Sequence, residues 1–194
     1  MRLGLMGGTF DPVHNTHLLI AELARAQFDL ERVIWVPAGD PPHKKGYPVT
    51  PGEHRYAMVL LATASNPRFE ASRLELERPG PSYSLDTILH FRACGADEVY
   101  FITGADAILE ILTWHRHEEV VSACRFIAAA RPGHDLSGIS GLPPAYRERI
   151  YPLRAPCVDI SSTGLRHRLA AGEPVRYMLP EEVEAYIRKH ALYR

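Results

Sequence analysis

Short apolar segments alternate with amphipathic ones along the chain, and this alternation limits its fold more than any other feature. These segments are short and apolar, and the one at 32–38 is also β-branched, so they predict buried strands. They lie at residues 2–6, 32–38, 98–104 and 125–130, with a weaker, partly alternating segment at 68–78. Buried strands that alternate with helices form a parallel sheet covered on both faces. We therefore predict an α/β fold, a Rossmann-like doubly wound parallel sheet.

The segments between the strands have the spacing of helices. Gly95 and Gly172 follow two of them as C-caps, and serines stand before a third as N-caps. The predicted helices cover residues 16–28, 53–65, 84–95, 106–112, 117–124, 161–172 and 180–192. The residues predicted to face inward are Leu19, Leu23 and Ala26, then Leu85, Ile88 and Leu89, and finally Val183, Tyr186 and Ile187.

Length and charge limit the class of protein. A chain of 194 residues suits one domain, here predicted over 1–194, with a small C-terminal helical portion at 160–194. The formal net charge of −1 gives no basic field for nucleic acid, although a nucleotide needs only a few local cations. No segment approaches the roughly 18 apolar residues of a membrane span, and the N-terminal apolar run is too short for a signal peptide.

The cysteines point to a reducing compartment. Cys94, Cys124 and Cys157 are odd in number, and their spacing fits neither a disulfide framework nor a zinc cluster. We predict buried, reduced thiols in a cytoplasmic protein. The sequence leaves open whether the protein is a monomer or a symmetric homo-oligomer.

Polar and glycine-rich loops follow the ends of the predicted strands. They lie at residues 7–15, 37–51, 104–106, 131–134 and 160–163. In a parallel sheet, ligands bind outside the carboxyl ends of the strands. The sequence therefore predicts a ligand site built from these loops.

The first of these loops reads GGTFDPVHNTH. It contains neither the dinucleotide fingerprint nor a P-loop. Gly7 and Gly8 would let the backbone approach a phosphate, and amides before a helix favour an anion. His14 and His17, one turn apart, could reach the same phosphates. A zinc site needs more ligands than these, and a plain strand-to-helix turn with surface histidines is the simplest alternative.

This loop resembles the N-terminal signature of the bacterial nicotinate mononucleotide adenylyltransferases, a family of the nucleotidyltransferase superfamily that carries a His-x-Gly-His motif. Further segments over residues 3–187 resemble the family's motifs in the same order. These segments are PAGDPPHKK, EHRYAM, PSYSLDT, FITGADA, TWHR, RPG, ISSTGLRHRL and YMLPEEVEAYI. The chain departs from the family at Thr16, where Gly is usual, and a branched side chain there could hinder ATP.

The resemblance implies a reaction of NAD biosynthesis. ATP and nicotinate mononucleotide would give nicotinate adenine dinucleotide and pyrophosphate. The attacking phosphate is already ionised, so catalysis would come from positioning and charge neutralisation rather than from a strong general base. Mg²⁺ would be bound through the ATP phosphates, with no predicted set of protein ligands.

The resemblance also implies roles for individual residues. His14, His17, Lys44 and Arg166 would be catalytic. ATP would be bound by Gly7, Gly8, Thr9, Phe10, His14, His17, Gly104, Asp106, Ser161, Ser162, Thr163 and Arg166. The mononucleotide would be bound by His43, Lys44, Thr87, Asp106, Trp114, His115 and Arg131, with Trp114 stacked on the pyridine ring and Asp106 on ribose hydroxyls.

Simpler explanations exist for several of these residues. Asp106 could cap the following helix, Trp114 could be a core residue, and Arg131 could be a surface charge. We interpret Tyr83 as a packing residue.

Rival functions also remain open from the sequence. The chain could be a nicotinamide mononucleotide or phosphopantetheine adenylyltransferase, a cytidylyltransferase, or a nucleotide-binding protein whose catalysis is impaired at Thr16.

Overall fold

Six parallel strands form one sheet in the order β3-β2-β1-β4-β5-β6. The structure is a computed structural model that describes residues 1–40, 48–130, 137–156 and 158–194. The strands are β1 Arg2–Gly8, β2 Arg32–Pro37, β3 Phe69–Ala71, β4 Glu98–Gly104, β5 Arg125–Ala129 and β6 Ile150–Leu153. The predicted α/β class with a Rossmann-like parallel sheet is confirmed.

Two strands differ from the sequence prediction. The segment predicted as a strand over 68–78 is a strand only over Phe69–Ala71, and Leu74–Glu77 is a helical turn. Strand β6 was not predicted because it is short and contains Pro152. A proline cannot donate to a sheet, so it is tolerated at the sheet edge that β6 occupies.

The helices that the structure describes include the seven that were predicted, with ends that differ by a few residues, and two short ones, Leu74–Glu77 and Pro144–Arg147, that were not. They are α1 Asn15–Gln27, α2 Gly52–Thr63, α3 Leu74–Glu77, α4 Ser84–Ala93, α5 Ala105–Leu109, α6 His117–Ala123, α7 Pro144–Arg147, α8 Ser162–Ala170 and α9 Glu181–Lys189. Gly95 and Gly172 have positive φ after the ends of α4 and α8, as their predicted capping role requires.

Several predicted inward faces are wrong. In α1 the buried apolar residues are Ile20, Ala21 and Ala24, whereas Leu19 and Leu23 are half-buried and Ala26 is exposed.

The predicted face of α4 is also wrong at one position. Leu89 is 46% exposed and Thr87 is buried instead. In α9, Val183 and Ile187 are buried as predicted, and Tyr186 is half-buried.

The chain divides into two compact units. The first comprises Met1–Gly7, Ile20–Ile34 and Tyr83–Asp159, and the second comprises Gly8–Leu19, Trp35–Ser82 and Ile160–Arg194. The prediction of one domain over 1–194 stays a prediction.

Each unit has its own buried residues. The core of the first includes Ile102, Phe126 and Ile127 from the adjacent strands β4 and β5. The second includes Met58 of α2 and Val183 of α9, two helices that pack against each other.

The thiols are partly as predicted. Cys124 is buried, and burial raises the pKa of its thiol to about 12, so it stays protonated. Cys94 is exposed, which corrects the prediction that it is buried, because it lies after the last turn of α4. Cys157 is outside the described residues.

No helix among the residues that the structure describes is long and apolar enough to cross a lipid bilayer.

Candidate active site

The loop between β1 and α1 folds back on the end of its own strand. Phe10 has a φ of 52° and is 3% exposed. Its ring packs edge-on against His17, with centroids 5.3 Å apart, and tilted against Trp35 at 5.5 Å. A Cβ at Gly8 would stand 3.0 Å from the Phe10 ring, so any larger residue there would push this ring aside by a few tenths of an ångström. The contacts of the buried Phe10 ring with His17 and Trp35 hold the backbone of the loop at this position.

His14 and His17 form a stacked pair at the end of this loop. Their ring centroids are 3.7 Å apart and their planes differ by 28°. The backbone N–H of His14 donates to Nδ1 of His17 over 3.2 Å. Because Nδ1 is the acceptor, the proton of a neutral His17 ring is on Nε2. His14 is 1% exposed, whereas His17 is only partly buried.

Backbone amides in the first turn of α1 are already used by the protein. The Asn15 N–H donates to the Met178 carbonyl over 3.0 Å, and the His17 N–H donates to the His14 carbonyl over 2.9 Å. The expected anion site at this helix therefore depends more on side chains than on these amides.

Residues Asp11 and Pro12 connect the loop to the start of α8. Arg166 Nη1 donates to the Asp11 carbonyl over 2.8 Å, and the Ser162 hydroxyl donates to the Pro12 carbonyl over 2.9 Å. These two hydrogen bonds bring the predicted residues of α8 to the loop that carries the histidines.

The first turn of α8 is organised by its own side chains. Ser161 is the N-cap, and its hydroxyl accepts a hydrogen bond from the Gly164 N–H over 3.1 Å. Arg166 Nη2 donates to the Thr163 hydroxyl over 3.2 Å. The predicted capping by serine is confirmed, and the guanidinium of Arg166 is held at the helix start.

Arg55 is a site residue that the sequence reasoning missed. It is 2% exposed, and its guanidinium donates to the carbonyls of Thr9 at 2.8 Å, Thr50 at 2.8 Å and Gly39 at 3.5 Å. Burial lowers the pKa of this guanidinium, while the nearby Asp11 carboxylate raises it. A basic residue three positions before Met58, on the apolar side of a helix, was the available signal.

Of the residues predicted for the mononucleotide, the structure describes Thr87, Asp106, Trp114 and His115, which belong to the first unit. Trp114 is partly buried, with its ring edge-on to Phe101 at 5.8 Å and to Phe126 at 6.1 Å. A Cβ at Gly7 would stand 3.1 Å from the Phe101 ring. Trp114 thus contacts two aromatic rings of the sheet and is itself only partly buried.

His115 and Thr87 have different surroundings. The His115 ring stacks on the Tyr83 ring, with centroids 4.1 Å apart. Tyr83, predicted as a packing residue, therefore packs against a residue predicted for the site. Thr87 is 1% exposed on α4.

Gly104 and Asp106 stand where β4 passes into α5. Gly104 is the N-cap of this helix, and no side-chain capping bond occurs there among the described residues. Asp106 is exposed in the first turn. This geometry removes the alternative that Asp106 serves as a helix cap.

The remaining predicted site residues, His43, Lys44 and Arg131, lie outside the described residues.

Comparisons with known proteins agree with the motifs. A family model described as cytidylyltransferase-like matches residues 5–168. A protein of Moorella thermoacetica named "Probable nicotinate-nucleotide adenylyltransferase" is 54% identical over 199 residues, which cover 100% of this chain and 92% of the relative. A Thermus thermophilus protein of the same name is 50% identical over 195 residues and covers 100% of both chains.

This chain belongs to the nicotinate-nucleotide adenylyltransferase family. It is therefore a member of an enzyme family of nucleotidyltransferases, as the sequence motifs predicted.

Solved structures show the same fold. Plasmodium falciparum nicotinic acid mononucleotide adenylyltransferase complexed with NaAD matches with a TM-score of 0.82, 20% identity, and coverage of 99% of this chain and 97% of that chain. A putative nicotinate-nucleotide adenylyltransferase from Vibrio parahaemolyticus matches with a TM-score of 0.67 and 16% identity, covering 100% of this chain and 95% of that chain.

Proposed function

We propose that this protein transfers the adenylyl group of ATP to nicotinate mononucleotide, forming nicotinate adenine dinucleotide and pyrophosphate. The observation that supports this most strongly is the His14–His17 pair on a loop that also holds Arg166 through the Asp11 carbonyl. Imidazole and guanidinium groups are donors suited to a polyphosphate. The chain that carries them belongs to a family of adenylyltransferases.

The chemical step needs no protein base. An oxygen of the mononucleotide phosphate attacks the α-phosphorus of ATP and forms a new P–O bond. The bond from the α-phosphorus to the bridging oxygen breaks, and pyrophosphate leaves with the electron pair. Charge grows on the departing pyrophosphate, so positioned donors lower the barrier.

His17 and Arg166 are the donors that this proposal places on the ATP phosphates. The Nε2–H of His17 would donate to a phosphate oxygen, since Nδ1 is occupied by the His14 N–H. The buried His14 supports the His17 ring, and its own predicted contact with phosphate stays a prediction. Lys44 would add a second cation.

Backbone groups and small side chains would complete the ATP site. Gly7, Gly8, Thr9 and Phe10 would contribute through their backbone, because the Phe10 ring is buried. Ser161, Ser162 and Thr163 would present the start of α8, where helix amides favour a phosphate.

Most of the residues proposed to bind the second substrate belong to the first unit. Trp114 would stack on the pyridine ring, and backbone amides near Thr87 and His115 would bind its carboxylate. Backbone N–H donors favour the carboxylate of nicotinate over the amide of nicotinamide. Asp106, next to Gly104, would bind ribose hydroxyls, because a carboxylate repels phosphate. His43 and Arg131 would contact the phosphates of the substrates.

Mg²⁺ would join the site through the ATP phosphates. Phosphate oxygens and water are the ligands that this ion prefers. Within the described ranges, no group of three or more His, Cys, Asp and Glu side chains is placed to hold a metal ion. The ion would supply charge neutralisation to the polyphosphate.

Thr16 is compatible with catalysis in this proposal. Its side chain is 5% exposed and is therefore covered by protein atoms. A side chain enclosed in this way adds no bulk to an open ligand surface. The cytoplasmic location and the oligomeric state stay predictions.

The deciding experiment is pyrophosphate release from ATP and Mg²⁺ with nicotinate mononucleotide, nicotinamide mononucleotide and phosphopantetheine in parallel. We expect turnover to be strongest with nicotinate mononucleotide. If turnover is strongest with another acceptor, that acceptor is the substrate and nicotinate mononucleotide is not. ATP binding without any turnover would favour the impaired nucleotide-binding protein instead.

A further inference from the structure

The C-terminal tail returns to the loop that carries the histidines. After α9 ends at Lys189, Ala191 and Tyr193 both have positive φ, at 52° and 63°. These turns bring the Tyr193 hydroxyl to Asp11, to whose Oδ1 it donates over 2.6 Å. The penultimate residue thus bonds directly to the loop.

Asp11 is a buried junction with a partner at each of its oxygens. It is 2% exposed. Its Oδ1 accepts from Tyr193, its Oδ2 accepts from the Thr50 N–H over 3.3 Å, and its carbonyl accepts from Arg166. The position of Asp11 therefore influences both the guanidinium of Arg166 and the course of the chain toward His14.

The Tyr193 hydroxyl remains protonated and can always donate its hydrogen bond to Asp11. Burial and the Asp11 carboxylate raise the pKa of its hydroxyl far above the ordinary range for tyrosine. The hydroxyl therefore keeps its proton at neutral pH. Without it, a buried carboxylate oxygen would lose its donor, and Asp11 could shift relative to Arg166.

We propose that Tyr193 is a positioning residue for ATP: through Asp11 it keeps Arg166 and the histidine loop in the geometry that binds the polyphosphate. This inference rests on the proposed function, because it assigns Tyr193 to the ATP side of the same site. Tyr193 itself is not assigned a contact with substrate.

The test uses the full-length chain with Tyr193→Phe, which removes only the hydroxyl. Tyr186→Phe is the matched control, because its hydroxyl contacts His54 instead. The measurements are the Kd for ATP with Mg²⁺ by calorimetry, kcat and both KM values, and the unfolding midpoint. We expect Tyr193→Phe to weaken ATP binding and to lower kcat/KM for ATP about tenfold, as small displacements in a site do. The KM of Tyr193→Phe for nicotinate mononucleotide should stay unchanged. The Tyr186→Phe control should match the wild type in ATP binding and in kcat/KM.

A second variant tests the route through Asp11. If Tyr193 acts through this carboxylate, Tyr193→Phe should have little further effect on ATP binding in an Asp11→Ala background, because alanine removes the acceptor. Full additivity of the two changes would overturn the route. An unchanged Kd for ATP in Tyr193→Phe, even with a lower unfolding midpoint, would overturn the positioning role.

The two proposals fail in different ways. A wild-type protein that binds ATP without transferring the adenylyl group contradicts the proposed function, and the Kd comparison then still decides the role of Tyr193. A wild-type protein that binds no ATP contradicts both.

Discussion

The backbone N–H of His14 donates to Nδ1 of His17, and the two imidazole rings stack with centroids 3.7 Å apart. One histidine thus fixes both the orientation and the tautomer of the other. This places the proton of neutral His17 on Nε2, where a phosphate oxygen can accept it.

His17→Ala and His17→Asn should each lower kcat by at least ~10²-fold, the scale for one positioned donor. Asparagine offers an acceptor near Nδ1 but no donor at Nε2, so it separates the two functions of the ring. Steady-state pyrophosphate release measures the effect, and His54→Ala serves as the control. If His17→Asn turned over at the wild-type rate, donation from Nε2 to a phosphate oxygen would not contribute to catalysis.

Asp106→Ala should raise the KM for nicotinate mononucleotide about tenfold, the scale of a hydrogen bond to a charged group. The free energy of unfolding of this variant should differ from that of the wild type by less than about 0.5 kcal/mol, because Asp106 is exposed and makes no capping bond among the described residues. Glu110→Ala, an exposed acid nearby, is the control. A lower unfolding midpoint with unchanged kinetics would assign Asp106 to structure.

Thr16→Val should stabilise the protein by about 1 kcal/mol in urea unfolding. The Thr16 hydroxyl is buried and has no hydrogen-bond partner in the described part of the chain, and valine keeps the branched shape. Turnover should be unchanged, since the side chain is enclosed. Thr16→Ser retains the hydroxyl and should not stabilise. A large gain in turnover for Thr16→Gly would show that Thr16 obstructs the site.

Arg55→Lys should destabilise the protein by about 3 kcal/mol, because lysine cannot replace a buried guanidinium that donates to separate carbonyls. Arg73, partly buried and paired with the exposed carboxylates of Glu53 and Glu77, offers the matched Arg73→Lys control, with a change below about 0.5 kcal/mol. Chemical unfolding of both variants makes the comparison. Equal stability of the two would mean that the bonds to Thr9 and Thr50 contribute little.

Acid should weaken the fold partly through Glu98. Hydrogen bonds from Arg125 hold the pKa of Glu98 below its ordinary value of 4.5, with a smaller effect from Arg2. The unfolded chain therefore takes up this proton at a higher pH than the folded one. The stabilisation is present above pH 4.5 and is lost as the pH falls through the lower folded pKa.

Glu98→Gln should accordingly flatten the pH dependence of urea unfolding in this acid range. Glu148→Gln, at an exposed position, is the control. A pH profile identical to that of the wild type would exclude Glu98 as a source of acid sensitivity.

The sequence by itself determined the parts of this protein that depend on local pattern. Short apolar runs predicted strands β1, β2, β4 and β5, partial alternation predicted β3 with the wrong bounds, and glycine and serine predicted several helix ends. The spacing of His14 and His17 placed them one turn apart. Ordered motifs identified the family, because each motif needs only a short stretch of chain.

Only the tertiary structure decided how distant segments meet. Asp11 bonds to Arg166, 155 residues along the chain, and to Tyr193, 182 residues along. Arg55 donates to carbonyls of separate loops, and the buried side of α1 carries Ile20, Ala21 and Ala24 instead of the predicted leucines. Local patterns report burial and backbone preference, whereas hydrogen bonds between remote segments depend on how the elements pack in space.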